Sequence, residues 1–141
     1  MKILIINGPN LNMLGKRQPE IYGSETFEDI LAAIRAKYSD MDIHYFQSNS
    51  EGALIDRIQE AFHDSELKGM VVNLGAYTHY SYGLQDALGM LSIPIIEVHI
   101  SHIFAREKFR HTSVISPVCK AMISGMGTKG YFLAVEGLRE E

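Results

Sequence analysis

A single cysteine, Cys119, stands among 141 residues. That rules out a disulfide framework and leaves no cysteine pair for a zinc knuckle. It suits a reducing, cytoplasmic compartment. No apolar run approaches the ~18 residues that mark a membrane span, and the opening run Met1 to Ile6 is too short for the apolar region of a secretory signal. Basic excess is also missing. Thirteen Lys and Arg face seventeen Asp and Glu, a formal net charge of −4, which argues against a nucleic-acid module with its basic stripe. No low-complexity stretch, charge block or internal repeat marks a linker. What remains is an ordinary globular balance, 46% apolar and 21% charged. The length suits one domain, so residues 1–141 are expected to form a single unit, an enzyme or a small-ligand binder.

The first run, Lys2 to Ile6, is continuously apolar after its lysine, as befits a strand covered on both faces. Asn7-Gly8-Pro9-Asn10 follows as a turn cluster. Leu11 to Ser24 then reads as an irregular loop, long enough to suggest a lid at about 13–25. Thr26 with Asp29 predicts a helix start. Phe27, Ile30, Leu31, Ile34 and Tyr38 fall on one face of that helix. Asp42 to Gln47 reads as a second strand, and Leu54, Ile55, Ile58, Ala61 and Phe62 as a second amphipathic helix. Met70 to Leu74 is a third strand. Leu84, Ala87, Leu88 and Leu91 mark a third helix, stopped by Pro94. Ile95 to Ile100 is a fourth strand. A short helical piece near Arg106 to Arg110 precedes a fifth strand at about Val118 to Ser124. Tyr131, Ala134, Val135 and Leu138 give a closing helix. Tyr80, Tyr82 and the methionines read as packing. Alternation of five strands and helices predicts a doubly wound α/β fold with a parallel sheet. The expected order is flavodoxin-like, 2-1-3-4-5. Such sheets bind ligands beyond the C-terminal strand ends, at the switch between strands 1 and 3.

Chemistry concentrates at those ends. Strand 1 is followed by Asn10, Asn12, Arg17 and Tyr22, and strand 3 by Asn73 and the run Gly75 to His79. Strand 4 carries Glu97, His99, Ser101 and His102, then Arg106 and Arg110. Amides, imidazoles and guanidiniums aimed at one crevice suit a small polar or anionic ligand. Asn10 also suits a plain turn. His99 is the natural proton donor, because imidazole titrates near neutrality. Tyr22, Glu97 and His79 are all candidates for the base, and the residues alone do not choose among them.

Two patterns mislead. Gly125-Met-Gly127-Thr-Lys-Gly130 matches G-x-G-x-x-G, but only eleven residues follow it. That leaves no room for the next strand and the acidic residue about 20 positions on that dinucleotide binding needs. His99 and His102 are spaced i, i+3, which places them on opposite faces of a strand, so no metal site is expected. A Walker loop and a Gly-x-Ser-x-Gly elbow are absent. The chemistry left is acid–base work without a cofactor.

Four segments, in order, resemble those of the type II dehydroquinases (3-dehydroquinate dehydratases). They are Ile6-Asn-Gly-Pro-Asn-Leu-Asn-Met-Leu-Gly-Lys-Arg-Gln-Pro-Glu-Ile-Tyr-Gly23, Phe46-Gln-Ser-Asn-Ser-Glu-Gly52, Asn73-Leu-Gly-Ala-Tyr-Thr-His79 with Asp86-Ala-Leu88, and Glu97-Val-His-Ile-Ser101 through Ala105-Arg-Glu-Lys-Phe-Arg-His111. The resemblance covers nearly the whole chain. It implies trans-dehydration of 3-dehydroquinate to 3-dehydroshikimate through an enolate, a step of the shikimate pathway, with no cofactor. In the implied site Tyr22 is the base, with Arg17 lowering its pKa and Arg106 adding positive charge. Asn12 holds a water on the enolate oxygen. His99, oriented by Glu97, protonates the leaving hydroxyl. Asn73, His79 and Arg110 hold ring hydroxyls, and the Ile100 and Ser101 backbone N–H groups hold the carboxylate. Asp86 reaches in from a neighbouring subunit of a trimer, and trimers pack into dodecamers. Leu74, Ser50, Ala53, Tyr80 and His102 depart from the usual family pattern. Against the dehydratase stands a different class of protein, a non-catalytic module of the same fold that binds a small carboxylate.

Overall fold

The computed structural model describes residues 1–16, 20 and 23–139. The roles expected of Arg17 and Tyr22 therefore fall outside the described residues. Five parallel strands, β1 (Lys2–Asn7), β2 (Asp42–Gln47), β3 (Leu67–Asn73), β4 (Ile95–His99) and β5 (Ala121–Ser124), form one sheet in the order β2-β1-β3-β4-β5. Among the described residues four α-helices, α1 (Phe27–Lys37), α2 (Glu51–Phe62), α3 (Tyr82–Gly89) and α4 (Lys129–Leu138), connect and close it. This is the expected doubly wound arrangement.

Strand alternation builds two cores. Ile3 and Ile5 of β1 face one way, with Ile30 and Ile34 of α1 and Tyr131 and Val135 of α4. Leu4 and Ile6 face the other, with Leu54 and Ile58 of α2 and Leu84 and Leu88 of α3. A central strand apolar on both faces is what a sheet covered by helices on both sides requires. The start of α1 is a complete capping box. Thr26 Oγ1 accepts from the Asp29 N–H at 3.3 Å, and Asp29 Oδ2 accepts from the Thr26 N–H at 3.0 Å.

Strands β3 and β4 end one residue earlier than the sequence reading, at Asn73 and His99, and three differences are larger. β3 begins at Leu67 rather than Met70. Gly69 interrupts the apolar pattern there because α4 passes close by, and a Cβ would sit 3.0 Å from Leu138. β5 begins at Ala121 rather than Val118, because Ser116-Pro117-Val118 turns as a 3-10 helix. The region near Arg106 to Arg110 is two short 3-10 turns, Ile103–Ala105 and Lys108–His111. Tyr80 and Tyr82 are not packed as expected. They are 57% and 68% exposed, and Met90 at the end of α3 is half exposed. Tyr82 opens α3 on its outward side, opposite the buried Leu84, Ala87 and Leu88. Among the described residues no helix is long and apolar enough to cross a membrane.

Candidate active site

The C-terminal ends of β1, β3 and β4 lie side by side, with Asn7 paired to Asn73 and Val72 to Glu97 in the register. Beyond them opens a cavity of about 290 Å³. The loop after β1 contributes Asn10 and Leu14, the turn after β3 contributes Gly75, and β4 with its extension contributes His99, Ser101 and Arg106. Asn10 holds a left-handed conformation, φ 72°, which asparagine tolerates better than most residues. Its N–H donates to Asn49 Oδ1 at 3.0 Å. Asn10 is thus both a turn former and part of the wall.

Gly15 has φ +81°, and a Cβ there would lie 2.5 Å from the Glu25 carbonyl oxygen. Gly15 and Glu25 therefore lie against each other.

His99 lies on the cavity wall, 5% exposed. Behind it Glu97 is fully buried, and Glu97 Oε2 takes the His99 Nε2–H at 2.5 Å. Ser113 Oγ donates to Glu97 Oε2 at 2.9 Å, and Ser116 Oγ donates to Glu97 Oε1. Burial pushes the Glu97 carboxyl up, but the donors from His99, Ser116 and Ser113 outweigh it and hold the group below the ordinary carboxylate range. An ionised carboxylate on Nε2 fixes the tautomer, leaving Nδ1 as the nitrogen available to a ligand. With both oxygens occupied and no surface on the cavity, Glu97 is placed to orient His99 rather than to take a substrate proton. That removes one of the three base candidates.

The sequence places several other residues at the site, and the fold distributes them. Ile100 and Ser101 line the cavity, and among the described residues no acceptor is paired with either backbone N–H. Arg106 Nη1 donates to Ser101 Oγ at 3.1 Å. Asn73 lines the cavity but is 4% exposed and structurally engaged. Its Nδ2 donates to Tyr131 Oη at 2.9 Å, and its Oδ1 accepts from the Gly75 N–H at 3.2 Å. His79, ending the 3-10 turn Gly75–His79, stacks near His99 with ring centres 6.2 Å apart. Its Nδ1 donates to the Thr112 carbonyl at 2.8 Å. Burial, with the His99 and Arg110 charges nearby, holds His79 below the ordinary histidine value. It is therefore neutral at pH 7, with Nε2 free to accept.

Asn12 and Arg110 stand outside the cavity wall. Asn12 is exposed, its Oδ1 taking Gln47 Nε2 at 3.5 Å. Arg110 lies over the Phe109 ring and donates to Glu107 Oε2 at 2.9 Å. Asp86 is elsewhere, lining a second cavity between α2 and α3 with Ile55, Gln59 and Met90. Among the described residues no three His, Cys, Asp or Glu side chains gather as metal ligands. His102 turns toward Phe104 and packs beside Gly125, away from the His99–Glu97 pair.

Some contributors were not singled out from the sequence. Tyr131 Oη donates to Asn7 Oδ1 at 2.7 Å while accepting from Asn73, so one buried hydroxyl ties the ends of β1 and β3 together. Its position on the apolar face of α4 gave no sign of this. The glycine-rich run after β5 also has a job. Gly125 and Gly127, both at positive φ, donate to the carbonyls of His99 and Ile100, bracing the β4 extension. Among the departures, Ser50 caps α2, accepting from the Ala53 N–H at 3.2 Å. Leu74 is fully buried in the α2–α3 core. Tyr80 stands edge-on to Tyr77.

The family model for class II dehydroquinase matches residues 1–139. A 3-dehydroquinate dehydratase from Caldicellulosiruptor bescii is 50% identical over 141 residues, spanning 99% of this chain and 97% of that protein. One from Thermotoga neapolitana is 49% identical, spanning 99% and 95%. The crystal structure of a type II dehydroquinase from Butyrivibrio crossotus superposes with a TM-score of 0.92 at 51% identity, covering 99% of this chain and 98% of that one. Four motifs at four adjacent strand ends, and a match running from end to end at half identity, place the chain in the class II dehydroquinase family.

Proposed function

We infer that the chain catalyses the dehydration of 3-dehydroquinate to 3-dehydroshikimate, a lyase step of the shikimate pathway. The observation that carries this reading is the buried Glu97–His99 pair opening on a cavity rimmed by two backbone N–H groups that have no partner among the described residues. A proton donor and an anion cradle on one strand end suit a small carboxylate that must lose a hydroxyl.

The residue roles follow from that arrangement. The substrate carboxylate sits on the Ile100 and Ser101 N–H groups. A hydroxyl donates to Nε2 of neutral His79, and Asn73 and Arg110 complete the ring contacts. Tyr22, as its phenolate, takes the C2 proton, and Arg17 and Arg106 stabilise that phenolate. The electrons pass into an enolate on the C3 oxygen, which a water held by Asn12 hydrogen-bonds. Fixed donors aimed at developing charge are the main source of such stabilisation. The enolate then expels the C1 hydroxyl, which leaves as water with the Nδ1 proton of doubly protonated His99, whose Nε2–H stays on Glu97. The C2 proton held on Tyr22 passes through solvent to His99 to reset the site. Arg17 and Tyr22 belong to the loop at 13–25, proposed to close over the cavity and exclude water, and Asn12 lies in the turn just before it.

Asp86 lines the second cavity beside the exposed Met90, not the cavity that holds His99. It is assigned to the site of a neighbouring subunit, in trimers that pack into dodecamers, in a cytoplasmic enzyme. Light scattering of the purified protein is expected to give a mass near twelve chains, and a monomer at micromolar concentration contradicts the assembly. Turnover is tested by adding 3-dehydroquinate with a chelator present and following the ultraviolet absorbance of the conjugated enone. A rise that the chelator leaves unchanged is expected. A flat trace accompanied by a ligand-induced thermal shift is the result of a binding module instead.

A further inference from the structure

We propose that the segment Thr112 to Ser116 is a single positioning element for both active-site imidazoles, with Ser113 and Ser116 acting as positioning residues for His99 through Glu97. This rests on the dehydratase reading for its kinetic consequences. The geometry itself needs only the contacts.

Glu97 is a fully buried carboxylate two residues from the imidazole it holds. Strand geometry alone puts Glu97 and His99 on the same face but leaves the carboxylate free to rotate. Ser113 and Ser116 remove that freedom, one hydroxyl on each oxygen. A buried carboxylate with fewer donors is less able to stay ionised, and a protonated Glu97 no longer selects the Nε2–H tautomer of His99. The serines thus set both the orientation and the charge of the group behind the acid.

The serines are themselves fixed. The Ser116 N–H donates to Ser113 Oγ at 3.1 Å, so the two hydroxyl-bearing residues brace each other. Ile115 between them is fully buried in the α2–α3 core. The Val114 N–H donates to the Thr78 carbonyl at 2.8 Å, and Gln85 Nε2 of α3 donates to the Val114 carbonyl at 2.6 Å. One residue earlier, the Thr112 carbonyl takes the proton of His79 Nδ1. Thr112 therefore fixes one ring directly, and Ser113 and Ser116 fix the other through Glu97. The rings end stacked, 6.2 Å apart and inclined by 21°, because both are tied to five consecutive residues of one braced turn.

Removing outer hydrogen-bond partners of a reactive group typically costs ~10–100-fold. Ser113→Ala/Ser116→Ala is expected to lower kcat by about 100-fold with KM changed less than about threefold, and Ser116→Ala alone by about tenfold. Ser116→Thr, which keeps the hydroxyl, is expected to restore most of the loss. In a Glu97→Ala background the serine changes are expected to cost nothing further. Equal losses with and without Glu97, or wild-type kcat in the double variant, would overturn the proposal. Long-range ¹⁵N–¹H spectra of the imidazoles give a readout independent of turnover. The neutral His99 ring is expected as the Nε2–H tautomer in the native chain and as a mixture in Ser116→Ala, with His44 and His63 unchanged. An unaltered His99 tautomer refutes the positioning role. Absence of turnover in the native chain would instead refute the dehydratase reading, and the tautomer measurement would still decide the role of the serines.

Discussion

His99→Ala is expected to lower kcat by about 10³-fold while leaving affinity for the product within about tenfold; general acid catalysis by a positioned group contributes roughly 10²–10⁴-fold. The hydroxyl at C1 is a poor leaving group as hydroxide and a good one as water. In the proposed mechanism His99 supplies that proton from Nδ1 in its doubly protonated form, while its Nε2–H stays on Glu97 at 2.5 Å. Binding survives because the carboxylate contacts come from backbone N–H groups at Ile100 and Ser101, which the substitution does not remove. The proton at C2 gives a sharper test than rate alone. With the acid gone, the base still forms the enolate, and the enolate is reprotonated from solvent. His99→Ala in heavy water is therefore expected to exchange the C2 proton of 3-dehydroquinate for deuterium while forming almost no product, as followed by proton NMR. Loss of exchange together with loss of dehydration would show that His99 acts before the enolate forms, and would remove it from the role of acid.

Much of this architecture was legible in the chain. The two cores follow from β1, whose alternate residues Ile3 and Ile5 face one way and Leu4 and Ile6 the other. The order β2-β1-β3-β4-β5 follows from the alternation of strands and helices, and it puts the cavity at the expected switch point. The boundaries that went astray did so for tertiary reasons. Gly69 reads as a strand breaker until the closeness of Leu138 is known. Val118 reads as strand until Pro117 is seen to turn the chain.

The site divides in the same way. Glu97 and His99 are close in sequence, so strand periodicity alone pairs them. Ser113 and Ser116 lie 16 and 19 residues from the carboxylate they serve, and Tyr131 lies 58 residues from Asn73. Nothing local marks a serine in a turn, or a tyrosine on an apolar helix face, as part of a catalytic network. Conversely, Asn73 read as a ligand contact, and its side chain proves already committed to Tyr131 and Gly75. The contribution to a substrate proposed for Asn73 would then come from a side chain held by Tyr131 of α4.

Tyr22→Phe is expected to lower kcat by at least about 10³-fold, to bind product normally, and to abolish C2 exchange as well as dehydration, as loss of a general base requires. Tyrosine is an unusual base. With a reference pKa of about 10, only about 0.1% is phenolate at pH 7, and bringing that to half takes a shift of about 3 units, or roughly 4 kcal/mol. Cations in a site shielded from water can supply a shift of that size. Arg17 is five residues away in sequence, and Arg106 stands on the cavity wall, its Nη1 on Ser101. Of the competing bases, Glu97 is excluded by burial with both oxygens occupied, whereas His79, with its Nδ1–H on Thr112, keeps Nε2 open and is the remaining rival. The sign of the Arg17 effect follows. A guanidinium favours the charged phenolate, so Arg17→Ala raises the Tyr22 pKa and moves the acid limb of the kcat profile to higher pH, with activity partly recovered there. Phenylalanine has no ionisable form, so Tyr22→Phe shows no such recovery at any pH. C2 exchange in Tyr22→Phe at the rate of the native chain would move the base to another residue, with His79 the first to replace.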